Sequence, residues 1–119
     1  MSPTAITTAF IPVHNPASAA LWYSETLDLE ILTTNSSSAV LGPTSGTTSI
    51  TLLGPESGIK VAPGLKWATC NFLVENLHEK RAALQRLEIQ TTDVEGSPEI
   101  CLFFTLQDPD GNTLLLTDR

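Results

Sequence analysis

A strand that turns into a helix through an asparagine occurs twice in this chain, roughly 60 residues apart, and this repetition most constrains the fold. The first copy is Val13-His14-Asn15-Pro16, followed by an alanine-rich stretch, and the second is Val74-Glu75-Asn76-Leu77. Asparagine is a favoured N-cap, and proline is tolerated at the first helical position. Glu79, three residues after Asn76, completes a capping-box pattern. Both copies therefore predict a helix that begins directly after a strand.

Further matches between the two halves keep the same order along the chain. Leu29-Glu30-Ile31 corresponds to Leu87-Glu88-Ile89, and Ile50-Thr51-Leu52 corresponds to Leu114-Leu115-Leu116. The repeat is too long for the common solenoid repeats, and two copies account for the whole chain. We therefore predict an internal duplication of one supersecondary unit.

Hydrophobic periodicity predicts the order β-α-β-β-β in each half. The helices are expected at 16–27 and 77–87. The strands are expected near 5–13, 29–34, 38–42, 47–53, 66–74, 89–94, 99–106 and 113–117. Turn-forming residues concentrate between Gly54 and Gly64, which predicts a linker at about 55–65 between a first module at about 1–54 and a second at about 66–119.

Composition favours a single domain over residues 1–119. Of these residues 41% are hydrophobic, enough to bury a core. The chain lacks the ~18 consecutive apolar residues that a membrane-spanning helix needs, and Met1-Ser2-Pro3-Thr4 does not resemble the start of a signal peptide. We therefore expect a cytoplasmic protein with no membrane partner.

The balance of charges and the two cysteines exclude further classes of function. The formal net charge is -7, from 13 acidic and 6 basic residues, which argues against a nucleic-acid partner and leaves a cationic ligand open. Cys70 and Cys101 lie in separate apolar runs without CxxC spacing, so both are expected to be reduced thiols.

The acidic turn Asp108-Pro109-Asp110-Gly111-Asn112 runs directly into the apolar segment from Thr113 to Leu116. Glycine at a position suited to the left-handed region, followed by a short apolar run, is typical of a hairpin turn.

The double βαβββ order, the Val-x-Asn helix start, Trp22-Tyr23 on the first helix and the DPDGN turn together resemble the vicinal oxygen chelate superfamily. That superfamily holds glyoxalase I, extradiol dioxygenases, fosfomycin-resistance enzymes and bleomycin-resistance proteins. The resemblance covers essentially the whole chain. It implies an α+β fold in which two tandem βαβββ modules form a cupped eight-stranded mixed sheet, with a helix packed on each half. It does not by itself imply the reaction, because function depends on the site and not on the scaffold.

In the metal-using members, the resemblance implies, four side chains converge on a divalent ion inside the cup. In this chain, three of the four matching positions carry a threonine and the fourth carries a leucine. A threonine hydroxyl is a weak ligand for such ions, and leucine offers no donor atom. His14 and His78 lie beside the helix starts and not on the cavity face. The resemblance therefore implies that the usual site is lost and that no cofactor is bound. The positions that match the four ligands are Thr8, Thr51, Thr69 and Leu115.

Strand alternation, together with the family resemblance, predicts a cavity of hydroxyls, one amide and aromatic rings. Such a lining suits a neutral or weakly polar small molecule and provides no general base. The alternative is that the threonines merely suit strands and that Trp67 and Phe103 are core or dimer contacts. Cys101 is expected to be an inert thiol. The predicted ligand-binding residues are Thr8, Phe10, Thr51, Trp67, Thr69, Asn71, Cys101, Phe103, Thr105 and Leu115.

Three functions compete at this point. The first is a metal-free small-molecule-binding protein of the bleomycin-resistance kind that sequesters a drug or metabolite. The second is a glyoxalase-like lyase or isomerase, or a dioxygenase, with a non-standard or intersubunit metal site. The third is an auxiliary regulatory domain without small-molecule chemistry. On family grounds we expect a homodimer in all three.

Overall fold

The computed structural model describes residues 2–43, 46 and 48–119 of the chain. These residues form two compact units, Met1–Pro63 and Gly64–Arg119. Each unit contains one helix and a four-stranded mixed sheet.

The first unit has strands β1 (Thr8–Pro12), β2 (Glu30–Thr34), β3 (Ser38–Gly42) and β4 (Ser49–Leu53), with helix α1 (Pro16–Leu27) after β1. Its sheet order is β1-β4-β3-β2, in which β1 runs parallel to β4 and the other neighbours are antiparallel. A short 3-10 helix (Pro55–Ser57) follows. The fourth strand is predicted from about residue 47, which lies outside the described residues, and β4 begins at Ser49.

The second unit repeats this arrangement with β5 (Asn71–Leu73), helix α2 (Leu77–Arg86), β6 (Glu95–Ser97), β7 (Cys101–Gln107) and β8 (Thr113–Thr117). Its sheet order is β5-β8-β7-β6, and β5 runs parallel to β8. The predicted α+β fold of two tandem βαβββ modules is therefore confirmed, with its eight strands divided between two sheets. Neither helix has the length and apolar character that crossing a membrane demands, as far as the described residues go.

The duplicated helix starts are alike in their hydrogen bonds. Oδ1 of Asn15 accepts from the Ser18 N–H at 3.1 Å, and Oδ1 of Asn76 accepts from the Glu79 N–H at 3.3 Å. Before each cap, a valine N–H donates to the last residue of the parallel strand: Val13 to Leu53 at 2.9 Å and Val74 to Thr117 at 2.8 Å. One local sequence pattern thus produces the same junction twice.

The predicted strand at 89–94 is wrong, and the end of α2 explains why. Glu88 is in the left-handed region (φ 62), and the Ile89 N–H donates to the carbonyl of Leu84 at 3.1 Å. These residues therefore complete a Schellman-type helix end and cannot start a strand. Thr91 forms only an isolated bridge with Leu106, and the strand lies later, at β6.

The predicted strand at 66–74 is shorter than expected, because a side chain from the DPDGN turn holds the two residues directly before it. Oδ1 of Asn112 accepts from the N–H groups of Gly64 at 2.9 Å and Leu65 at 3.0 Å. The Thr113 N–H in turn donates to the carbonyl of Leu65 at 2.8 Å. The chain enters the sheet only at Asn71.

The DPDGN turn itself is a buried polar cluster. Asp108 and Asn112 are 4% and 1% exposed. Oδ1 of Asp108 accepts from the N–H groups of Asp110 and Asn112, and its Oδ2 accepts from Nδ2 of Asn112 at 2.9 Å. Gly111 has φ 82, a conformation that glycine adopts without strain. The turn therefore joins β7, β8 and the start of the second unit through one pair of side chains.

Each unit has its own apolar core. In the first unit, Tyr23 of α1 is fully buried, and its ring meets Trp22 edge-on with centroids 5.1 Å apart. In the second unit, Leu77 and Leu84 are the buried leucines of α2, whereas Leu87 is 62% exposed at the helix end. The strand residues with 0% exposure are Ala39, Leu41 and Leu52 in the first unit and Phe104 and Leu116 in the second.

Candidate functional site

Strand alternation divides the first sheet into an apolar side and a mixed side. Ile11, Leu41 and Leu52 are 2% exposed or less, which places their side of the sheet against α1. The residues between them point to the opposite side. Register pairs Phe10 and Val40 with Thr51, so these three side chains are neighbours there. We call the side of the sheet that carries Thr8, Phe10, Val40 and Thr51 the first ligand face.

Two hydroxyls meet at the centre of the first ligand face. Oγ1 of Thr8 lies 2.8 Å from Oγ1 of Thr51, and the Thr8 hydroxyl also lies 3.1 Å from the carbonyl of Ser49, to which it donates. Thr51 is 9% exposed, whereas the Phe10 ring is 51% exposed. The face thus combines an accessible aromatic ring with a nearly buried Thr51 that is hydrogen-bonded to the half-buried Thr8.

The second sheet has a corresponding side, opposite the one that carries Phe104 and Leu116. The register places Asn71, Leu115 and Thr105 in one row across three strands, and Phe103 beside Thr117 in the next. Nδ2 of Asn71 donates to Oγ1 of Thr117 at 3.0 Å. We call the side that carries Asn71, Cys101, Phe103, Thr105, Leu115 and Thr117 the second ligand face.

Eight of the ten predicted residues therefore lie on one of these two faces, each within its own unit. Thr8, Phe10 and Thr51 share the first, and Asn71, Cys101, Phe103, Thr105 and Leu115 share the second. Trp67 and Thr69 lie before β5, outside the strands, and both are exposed, with Trp67 at 75%. Ligand contact by these ten residues stays a prediction.

Two residues of these faces escaped the sequence analysis. Val40 beside Thr51 could have been found by applying the same alternation to β3. Thr92 could not, because its segment was assigned to a strand. Its hydroxyl accepts from the Thr105 N–H at 2.8 Å and lies 3.3 Å from the Thr105 hydroxyl. Arg81 anchors this segment, with Nε donating to the Thr92 carbonyl and Nη2 to Asp93, both at 3.0 Å.

The side chains at the four expected metal-ligand positions do not fit a divalent ion. The two in the first unit, Thr8 and Thr51, are hydrogen-bonded hydroxyls, and Leu115 is a hydrocarbon. Such ions select imidazole, carboxylate or thiolate ligands. No group of three or more His, Cys, Asp or Glu residues suited to a metal occurs within the described part of the chain.

The two cysteines are both free thiols. Burial raises the pKa of Cys70, and a hydrogen bond with the side chain of Thr69 offsets part of this rise. A raised pKa leaves the neutral thiol dominant at neutral pH, which disfavours nucleophilic chemistry at Cys70. The Cys101 thiol lies 3.5 Å from the Leu102 carbonyl and 3.7 Å from that of Arg119, within reach of weak hydrogen bonds.

Solved structures with the same fold include proteins named for different roles. A member of the glyoxalase/bleomycin resistance protein/dioxygenase superfamily from Sphaerobacter thermophilus DSM 20745 is 23% identical, with a TM-score of 0.78 and 97% of each chain covered. The bleomycin resistance determinant encoded on transposon Tn5 is 20% identical, with a TM-score of 0.73 and 98% of each chain covered. TnmS3, an antibiotic binding protein from Streptomyces sp. CB03234, is 20% identical, with a TM-score of 0.75, covering 98% of this chain and 96% of that one. At these identities the likeness establishes the fold alone.

No curated protein matches the chain in sequence. A family model does: that of the Glyoxalase/Bleomycin resistance protein/Dioxygenase superfamily matches residues 5–116. This match spans both βαβββ units and agrees with the structural neighbours. The resemblance seen in the duplicated helix starts and the DPDGN turn is thereby confirmed, and the chain belongs to the glyoxalase/bleomycin resistance protein/dioxygenase superfamily.

Proposed function

We propose that this protein binds a small molecule without the divalent metal site usual in its superfamily, and that it sequesters a drug or metabolite. The observation that carries this proposal is the set of side chains at the four ligand positions. Three of them, Thr8, Thr51 and Thr69, are alcohols, and the fourth, Leu115, has no donor atom. A tightly held divalent ion needs stronger ligands than these.

The composition of the two ligand faces supports a binding role. Phe10 offers an exposed ring beside Thr51. On the second face, the half-buried Phe103 lies beside Thr117, whose hydroxyl accepts a hydrogen bond from Asn71. Aromatic area with a few fixed polar groups is typical of small-molecule sites. Two proteins of the same fold, the Tn5 bleomycin resistance determinant and the antibiotic binding protein TnmS3, are named for antibiotic resistance or antibiotic binding, which is consistent with this proposal.

Metal analysis tests the proposal directly. After incubation with zinc, iron, manganese or nickel and extensive dialysis, we expect far less than one metal ion per chain by elemental analysis. A Thr8→His/Thr51→His double variant, whose substituted positions lie side by side, is expected to retain more metal than the native protein because imidazole is a strong ligand. That variant shows that the assay can detect a site at this place.

Stoichiometric metal in the native protein would contradict the proposal. Turnover of a hemithioacetal or a catechol that a chelator abolishes would then favour a lyase, isomerase or dioxygenase with a non-standard or intersubunit metal site. If metal is absent, a library screen by thermal unfolding should find a stabilising compound, since a ligand at 100 times its Kd adds about 2.7 kcal/mol to native-state stability. Failure of the whole screen would favour an auxiliary domain.

We also infer that the protein acts as a homodimer in the cytoplasm. The inference rests on its superfamily and on its sequence composition. Light scattering coupled to size-exclusion chromatography is expected to give twice the mass of one chain at micromolar concentration. A mass equal to one chain across a hundredfold concentration range would refute the dimer.

A further inference from the structure

The two hydrogen bonds of the Thr8 hydroxyl, to the Ser49 carbonyl and to Thr51, can form together with only one direction of donation. The Thr8 hydroxyl has one proton, and it donates that proton to the Ser49 carbonyl at 3.1 Å. The contact of 2.8 Å between Thr8 and Thr51 then requires the proton of Thr51. The chain of donors runs from Thr51 to Thr8 to the Ser49 carbonyl, which uses both protons.

The Thr51 hydroxyl therefore has no proton left to donate to a ligand and can only accept a hydrogen bond from one. A hydroxyl oxygen has two lone pairs, and no other hydrogen bond of the Thr51 hydroxyl is found among the described residues. Its neighbours on the face, Phe10 and Val40, are apolar. At 9% exposure, Thr51 has little access to water, so an unmatched group placed against it is costly.

The second ligand face, in a separate unit, carries both acceptors and donors. Nδ2 of Asn71 donates to Oγ1 of Thr117 at 3.0 Å, which leaves Oδ1 of the exposed Asn71 as an acceptor and the second N–H of its amide as a donor, so the preference for a donor rests on the first ligand face alone. The net charge of -7 also favours neutral or cationic molecules over anions.

From these directions we infer that the ligand is an N–H or O–H donor, neutral or cationic, carried on an aromatic or otherwise flat apolar scaffold. Its donor binds Oγ1 of Thr51, and its scaffold contacts the Phe10 ring. Thr51 acts as the acceptor that selects donors, and Thr8 is a positioning residue that holds the Thr51 proton away from the ligand. This inference rests on the proposed binding function and narrows the class of ligand.

Indole and benzofuran form a matched pair of probes. They have nearly the same shape, but indole carries an N–H donor where benzofuran carries an acceptor oxygen. Titration of the full-length, isotope-labelled protein by NMR, followed at the amides of Phe10, Val40 and Thr51, measures binding at this face. We expect indole to bind about tenfold more tightly than benzofuran, the value of one hydrogen bond in a nearly buried setting.

Three variants test the direction of the hydrogen bonds. Thr51→Val keeps the side-chain shape and should remove the preference for indole. Thr8→Val leaves the Thr51 proton free, so benzofuran should gain affinity and the preference should shrink or reverse. Thr34→Val, at an exposed position on β2 paired with Ala39 on the other side of the sheet, should change neither affinity. Circular dichroism and thermal unfolding establish that each variant is folded.

The possible failures are distinguishable. Equal binding of both probes, or a preference for indole that survives Thr51→Val, overturns the donor inference and leaves the proposed function standing. If neither probe shifts the amides of the first ligand face at millimolar concentration, both the inference and the proposed binding role of this face are overturned.

Discussion

Asn112→Ala is expected to lower the free energy of unfolding by about 3 kcal/mol, because it breaks a buried polar cluster at several points. The Asn112 side chain donates to Oδ2 of Asp108 at 2.9 Å and accepts from the N–H groups of Gly64 and Leu65. Removing it leaves a carboxylate oxygen and two backbone donors without these partners. Asp108 is 4% exposed, so water replaces the lost hydrogen bond poorly.

Asn35→Ala is the matched control for this prediction. Oδ1 of Asn35 also accepts from two backbone N–H groups, those of Ser37 at 2.8 Å and Ser38 at 3.0 Å, but this turn is exposed. Water can replace those bonds, and we expect a loss of about 1 kcal/mol or less. Urea unfolding followed by circular dichroism measures both changes. Similar losses in the two variants would contradict the structural role assigned to the DPDGN turn.

Phe104→Ala is expected to lower the free energy of unfolding by about 4 kcal/mol, because it opens a large cavity in the second core. The Phe104 side chain is fully buried, and register pairs it with Leu116, which is also fully buried. A loss of this size is a large part of the ~5–15 kcal/mol by which a domain of this kind is stable. We expect the variant to unfold at far lower urea concentration, or to fail to accumulate as folded protein.

Phe103→Ala provides the comparison, since the adjacent ring points to the other side of the same strand. Phe103 is half-buried on the second ligand face, next to Thr117. Its loss should cost about 1–2 kcal/mol, less than the loss of Phe104, because the cavity is open to solvent and can be refilled by water. If Phe103→Ala proves as destabilising as Phe104→Ala, the ring belongs to a core, and its proposed contact with a ligand is wrong.

The helix predictions depended on signals from residues close together in the sequence. The first helix lies at the residues predicted, 16–27, because Asn15 and Pro16 determine its start within a few residues of chain. The strands β3 and β8 likewise occupy the predicted residues. The duplicated order of elements followed from such local patterns. Together with the Val-x-Asn helix starts, Trp22-Tyr23 and the DPDGN turn, it pointed to the superfamily.

The strand predictions for two segments were wrong, because hydrogen bonds that leave no periodic pattern in the sequence override the local signal. Residues 66–70 were predicted to be strand, but Asn112, more than forty residues later, holds the two residues before them, Gly64 and Leu65, through its side-chain oxygen. Residues 88–90 have an apolar and polar alternation that suits a strand, but they close the end of α2. Periodicity reports which side of an element is apolar and does not report these competing hydrogen bonds.

The sequence by itself determined the repeated βαβββ order and the alternation of side chains along β1, β4, β7 and β8, because these properties depend on spacing along one strand or helix. Which side of β7 faces the cavity, and which four positions match metal ligands, came from the family resemblance. Only the tertiary structure decided that Thr8 and Thr51 share a hydrogen bond, that Asn71 donates to Thr117, and that Thr92 contacts Thr105. The physical reason is that hydrogen-bond partners and their direction depend on which strands become neighbours and in what register, and pairing between strands some forty residues apart leaves no local trace in the chain.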